Sequence, residues 1–178
     1  MTGFYKYLSA FVMILAFSLG CAQSPKDPAT GEVTVYLVRH AEKVLDVSNP
    51  PLNEAGVERA QELATYFAGR ELTHIHSTDY LRTLQTAEPT SAMLGLQVEL
   101  YDPRDLTAFA ARLKQTPGIH LVVGHSNTTP QLVAALGGEP GTEINEAAEY
   151  DRLYIVELSA PGEVQSTLMR YGTAYVPG

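Results

Sequence analysis

The chain has 178 residues, 45% of them hydrophobic and 18% charged, which suits one domain with a sizeable core. Twenty acidic residues against twelve lysines and arginines give a formal net charge of −8 and a pI near 5.0. Such a surface repels phosphate backbones and excludes nucleic acid as an expected partner, yet it leaves room for a local cationic pocket that takes a small anion.

In the first twenty residues Lys6 is the sole charge, and "YLSAFVMILAFSLG" then runs almost wholly apolar up to Cys21. A basic start, a short apolar stretch and small residues at a cut are the layout of a secretory signal, expected over residues 1–20. The stretch is short for a membrane span. "SLGC" resembles a bacterial lipoprotein signal, although Ser18 stands where leucine is usual. That resemblance implies lipidation of Cys21 and an exported, membrane-anchored protein; the alternative is an ordinary signal and a periplasmic or secreted one. Cys21 is the only cysteine, so no internal disulfide can form. Residues 21–32, "CAQSPKDPATGE", carry two prolines, a glycine and no apolar period, and read as a tether.

From Val33 the patterns alternate, and residues 33–178 read as one domain. "VTVYLV" is a strand: five of its six residues are apolar, Thr34 being the exception. Asn53 is placed to cap a helix to about Gly69, with Val57, Ala60, Leu63, Ala64 and Phe67 on its apolar face. "THIHS" is a short strand. A helix begins near Asp79 or Tyr80, and Pro89 is expected to kink or break it. "QVEL" is a strand, and "DLTAFAARLKQ" a helix capped by Asp105. "IHLVVG" is an apolar strand buried on both faces. Thr129-Pro130 opens a further helix, with Pro130 at its first position, and Gly137-Gly138 ends it. "RLYIVEL" and "VQSTLMRY" flank "SAPGE" as a closing hairpin. Alternation of this kind predicts a three-layer α/β/α sandwich around a mostly parallel sheet. Ligands of such sheets bind beyond the carboxyl ends of the strands. The ends of two strands, Arg39-His40 and Gly124-His125, therefore meet at one rim.

Between them lies "HSTDYLRTLQTAEP", with Arg82 in the first turns of its helix. Two arginines, two histidines and a helix start suit a phosphoryl group. Arginine binds phosphate oxygens in pairs, helix N-termini favour anions, and histidine can act as a nucleophile. "VRHAEK", "STDYLRTLQTA" and "VVGHSN" resemble, in order, the segments of the histidine phosphatase superfamily, in its phosphoglycerate mutase-like and SixA-like branch. The resemblance implies a phosphoglycerate mutase-like fold and a metal-independent phosphohydrolase without cofactors. It further implies His40 as the nucleophile, Arg39 and Arg82 as the phosphate clamp, and His125 as the second histidine. Leu100-Tyr101-Asp102 fits the family's proton-donor spacing, with Glu42 and Asp105 as alternatives. Ser77 and Thr86 are expected to lend further bonds near the pocket, Ser77 among them to substrate.

Other readings of the same residues are open to weighing. His74 and His76 share a strand face but lack carboxylate or cysteine companions, so they and His120 are read as structural, with no metal. Gln85 reads as packing. "GHSNT" faintly resembles a nucleophile elbow at Ser126, but Thr128 stands where glycine is needed and no histidine follows His125. The expected function is hydrolysis of phosphomonoesters, or of protein phosphohistidine, through a covalent phosphohistidine. The alternatives are a lipid-tethered phosphate binder without turnover and a phosphomutase. The expected partner is accordingly a small phosphorylated substrate or a phosphoprotein, and the membrane enters through the lipid only.

Overall fold

The computed structural model describes Met1, residues 31–160 and residues 162–177. The expected signal apart from Met1, Cys21 and most of the expected tether lie outside the described residues. In chain order the elements are β1 (Val33–Arg39), α1 (Glu54–Phe67), β2 (His74–Ser77), α2 (Leu81–Leu94), β3 (Val98–Leu100), α3 (Leu106–Gln115), β4 (Gly118–Gly124), α4 (Thr128–Leu136), β5 (Arg152–Ala160) and β6 (Glu163–Arg170). No helix among the described residues is long and apolar enough to cross a membrane.

The sheet has six strands in the order β3-β2-β4-β1-β5-β6. The first four of these are mutually parallel; β5 runs antiparallel to β1, and β6 antiparallel to β5. Period-two alternation splits the apolar side chains of β1 between two cores. Val33, Val35 and Leu37 pack with Phe109, Leu113, Leu132 and Val133 beneath α3 and α4. Val38 packs with Leu63, Phe67, Ile75 and Ala87 beneath α1 and α2. The predicted α/β/α sandwich is the observed architecture.

Three local expectations are corrected. Val57 is exposed, because the inward position of the first turn of α1 belongs to Gly56, where any Cβ would overlap the carbonyl oxygen of Glu42. Pro89 lies inside α2 without ending it. Thr86, Ala87 and Thr90 are buried on the inner side, so tertiary packing carries the helix past one missing hydrogen bond. In α4, Pro130 is the third helical residue rather than the first, still within the turn whose N–H groups have no intrahelical acceptor.

Register brings the rim together. Arg39 at the end of β1 pairs with Gly124 at the end of β4, and the His40 amide donates to the Gly124 carbonyl at 2.9 Å. Each strand delivers its next residue, His40 or His125, to the same place.

Candidate active site

A cavity of about 510 Å³ opens at this rim, lined by His40, Lys43, Tyr80, Arg82, Arg104, His125, Asn127 and Glu146 among others. Ser126, Asn127 and Thr128 bring the N-terminus of α4 to its wall, a backbone arrangement that favours anions.

His40 is buried, and its Nδ1 lies 2.8 Å from the Ala41 carbonyl oxygen. A carbonyl only accepts, so Nδ1 carries the proton and Nε2 keeps its lone pair. Burial, followed by the charges of Arg39 and Arg82 and by His125, outweighs that bond and pushes the imidazole down to about 3. His40 is therefore neutral near pH 7, with its Nε2 nucleophilic. The Ala41 amide donates to Thr86 Oγ1 at 2.9 Å, and that hydroxyl donates on to the Arg82 carbonyl at 2.7 Å. Thr86 thus positions the His40 segment from α2, behind the cavity. Gln85 takes the neighbouring loop, its Oε1 accepting from the Leu52 amide at 2.8 Å.

The ring centroids of His125 and His40 are 5.6 Å apart in an edge-on arrangement. His125 Nδ1 faces Arg82 Nη2 at 3.3 Å, and its Nε2 faces Thr78 Oγ1 at 3.0 Å. Burial, then the charges of Arg82, Arg39 and Lys43, push it down to about 4. Arg82 also stacks over Tyr80 at 4.6 Å, and its buried Nε has no partner among the described residues. That leaves a donor available to an anion.

Arg39 is placed differently from the expectation. It is 1% exposed and does not line the cavity. Nη1 donates to the carbonyls of Asn145 and Glu149 at 3.2 and 3.0 Å, and Nη2 to that of Glu146 at 2.6 Å. The guanidinium lies 4.0 Å over the Tyr150 ring. Only Nε is without a partner among the described residues. Most of the residue's donors fasten the loop between α4 and β5, and through it Glu146, against the rim. The same loop is braced by Glu149, which accepts from Arg152 Nε at 2.6 Å and from the Asn145 amide at 3.0 Å.

None of the three expected proton donors faces the cavity. Asp102 lies outside it and is paired with Arg104, Nε to Oδ1 at 2.9 Å and Nη2 to Oδ2 at 2.7 Å. That pairing pushes its carboxyl down to about 2. The pairing holds Arg104, which lines the cavity. Glu42 is gripped by Arg59, whose Nε donates to both carboxylate oxygens at 3.0 and 2.9 Å. The remaining Arg59 donors hold the carbonyls of Tyr171 and Thr173, each at 3.0 Å. Asp105 caps α3 by accepting from the Ala108 amide at 3.0 Å. Ser77 is also displaced from its expected role: fully buried, it donates to the Thr78 carbonyl at 2.9 Å. The residues that sequence reasoning missed are Lys43, Thr78, Tyr80, Arg104 and Glu146. Lys43, Thr78 and Tyr80 stand inside the quoted motifs "VRHAEK" and "STDYLRTLQTA", whereas nothing local marks Glu146.

A family model described as "Histidine phosphatase superfamily (branch 1)" matches residues 35–103. A relative called "Probable phosphoglycerate mutase GpmB", from Proteus mirabilis, is 40% identical over 77 residues, which cover 39% of this chain and 35% of the relative. Its namesake from Yersinia pestis is 38% identical over the same length. The chain thus spans about a third of the length of the curated relatives it matches. Among solved structures, the protein histidine phosphatase SixA complexed with tungstate superposes with a TM-score of 0.62 at 22% identity, covering 77% of this chain and 96% of SixA. Phosphoglycerate mutase from Bacillus anthracis gives a TM-score of 0.60 at 16% identity, covering 81% of this chain and 95% of that one. At such identities the superpositions speak for the fold, while the segment 35–103, with its strand-end Arg39-His40, is what this chain shares with branch 1 of the histidine phosphatase superfamily.

Proposed function

We propose that this protein is a phosphatase that hydrolyses phosphomonoesters, or protein phosphohistidine, through a covalent phosphohistidine at His40. The observation that carries the reading is the tautomer of His40: Nδ1–H is committed to the Ala41 carbonyl at 2.8 Å, so Nε2 is free to attack. In the first step the bond from Nε2 to phosphorus forms and the bond to the leaving atom breaks, an oxygen in a phosphomonoester and a ring nitrogen in phosphohistidine. Arg82, the α4 N-terminus and His125 hold the phosphoryl oxygens, while Arg39, buried behind the rim, fixes the loop that carries Glu146. Entry of the anion opens the long Arg82–His125 contact, 3.3 Å, and frees Arg82 for the phosphoryl oxygens, while His125 Nδ1 takes up a proton from solvent beside the anion and donates it to them, its Nε2–H staying on Thr78. Glu146, the carboxyl on the cavity wall, hands a proton to the leaving atom. In the second step water attacks phosphorus, the P–N bond breaks, and Glu146 takes up the water proton.

The similarity to SixA, whose structure was solved with tungstate, favours a phosphohistidine or small phosphomonoester. The similarity to a phosphoglycerate mutase supports a mutase as the second reading. Only residues 101–105 separate β3 from α3, so that loop brings no second anion clamp over the cavity, and we favour hydrolysis. Turnover of a panel of phosphomonoesters and a phosphohistidine protein, with EDTA present, tests the reading. Wild type should trap acid-labile, base-stable phosphate, and His40→Ala should trap none. Full activity in His40→Ala would overturn it.

We further propose that Cys21 is lipidated and that the domain works on a membrane surface facing outward from the cytoplasm. Metabolic labelling with a palmitate analogue should mark wild type and spare Cys21→Ser. The absence of label from both, with the protein free in the periplasmic fraction, would replace the anchor with plain secretion.

A further inference from the structure

On the α3 side of the sheet, away from the phosphoryl cavity, three histidines converge: His74 and His76 from β2 and His120 from β4. One ring nitrogen from each lies within 4.8 Å of the other two. The sequence supplies no carboxylate beside the two β2 histidines. The fold supplies one: Glu99 on β3 pairs across the strand with His76, and its carboxylate reaches both rings. Oε1 lies 3.0 Å from His74 Nδ1 and Oε2 lies 3.8 Å from His76 Nδ1.

The proton count around this cluster is unsatisfactory as it stands. His120 Nε2 is 2.9 Å from the Thr116 carbonyl and must carry the proton there, which leaves its Nδ1 as an acceptor. His76 Nε2 is 3.0 Å from that Nδ1 and must therefore donate. A neutral His76 then has no proton on Nδ1, so a buried lone pair faces the Glu99 carboxylate. His76 is 3% exposed, and its Nδ1 has no hydrogen-bond partner among the described residues. A buried polar atom left in this state calls for an explanation.

A cation between the rings removes the conflict. His76 would bind it through Nε2, freeing Nδ1–H to point at Glu99. His120 would bind through Nδ1 while keeping Nε2–H on Thr116. His74 would bind through Nε2 while Nδ1–H stays on Glu99. Each ligand would then hold an oxygen acceptor with its other nitrogen, the outer-shell arrangement that orients metal-binding histidines. The His76 and His120 rings lie 15° from coplanar and meet edge to edge, so a small opening admits an ion. Tetrahedral coordination at ordinary zinc–nitrogen lengths needs about 3.4 Å between the two nitrogens, against the observed 3.0 Å. His74 now stacks on His120 with centroids 4.6 Å apart and is partly exposed, so its ring has room to tilt. Arg112, stacked 5.0 Å over Phe109, lies near the cluster, and its charge offsets part of the attraction that Glu99 provides.

We propose that His74, His76 and His120 form a binding site for a late first-row divalent transition metal such as zinc, with Glu99 and Thr116 as the outer shell and solvent in the fourth position. Three imidazoles suit that class of ion and disfavour magnesium or calcium. Bound there, the ion links β2 to β4 directly and to β3 through Glu99, which ties together the sheet edge whose upper end carries Thr78. The proposal is independent of the phosphatase reading, because the cluster shares no residue with the cavity.

Titration calorimetry with zinc chloride on the protein tests it, beside thermal unfolding with and without the ion. One zinc per chain is expected, with a rise in Tm of several degrees at saturation. His74→Ala should weaken binding by at least about 10-fold, and Glu99→Gln by about 10- to 100-fold. Both sites are partly exposed, so these variants should fold; matching Tm values without zinc will check this. His76→Ala should abolish binding. Absence of zinc binding to wild type overturns the proposal. So does binding that His74→Ala and Glu99→Gln leave unchanged while vanadate or His125→Ala abolishes it, since that ion sits in the phosphoryl cavity.

Discussion

Thr78 and His125 are joined through Oγ1 and Nε2 at 3.0 Å, and the direction of that bond is settled one residue further on. Thr83 Oγ1 donates its proton to the carbonyls of Thr78 and Tyr80, each at 2.9 Å. It can then only accept from Thr78 Oγ1, 2.9 Å away, and Thr78 in turn accepts from His125 Nε2–H. Two buried hydroxyls thereby fix the second histidine in the tautomer whose Nδ1 faces Arg82. Thr78→Val keeps the shape and removes the relay. We expect kcat/KM to fall about 10-fold, in line with roughly 1–2 kcal/mol for a lost buried hydrogen bond. Steady-state kinetics check this, and an unchanged value would show that His125 needs no such orientation.

Two carboxylates separate by substrate. Glu146→Gln should slow alkyl phosphates by about 100-fold and aryl phosphates far less, because a good leaving group needs little proton transfer. Asp102→Asn should raise KM a few-fold through a loosened Arg104 and leave the leaving-group dependence alone. Brønsted plots of kcat/KM for both variants decide it. The opposite pattern would return the proton to Asp102.

His40 and His125 stand at about 3 and about 4, below the unfolded value of about 6.5. With folded values depressed, the unfolded chain binds the extra protons. These groups cost nothing above about pH 6.5, and they withdraw stability as pH falls from there towards 4 and then 3. Tm should drop across that window in wild type, and the drop should be shallower in His125→Asn. Identical pH profiles would mean that His125 is not held neutral. By the same reasoning the acid limb of kcat/KM should lie below pH 5.

Arg39→Met should destabilise the fold by about 2–4 kcal/mol in urea unfolding, because three carbonyls of the 145–149 loop lose a charged donor. A surface arginine of the clamp would show almost no loss.

The sheet and the rim were legible in the sequence because β1 and β4 are buried on both faces, which leaves near-continuous apolar runs that end in Arg39-His40 and Gly124-His125. Arg82 was legible from its place in the first turn of α2. The targets of side-chain donors were not. Arg39 meets acceptors 106 to 110 residues away, and no local pattern encodes that meeting. Asp102 has the right spacing for a proton donor, but Arg104 two residues on captures it in a tight turn. Pro89 and Val57 depart from the sequence pattern for a related reason. Helix continuity at one and burial at the other were decided by what packs against the helix, not by propensity or period.

Arg59 ties the backbone at Tyr171 and Thr173 to Glu42, two residues past His40. Cavity and distal segment are therefore thermodynamically linked, and linkage runs both ways. An oxyanion that stiffens residues 40–43 must also protect the segment around 171–173, so limited proteolysis there offers a readout of cavity occupancy that needs no substrate turnover.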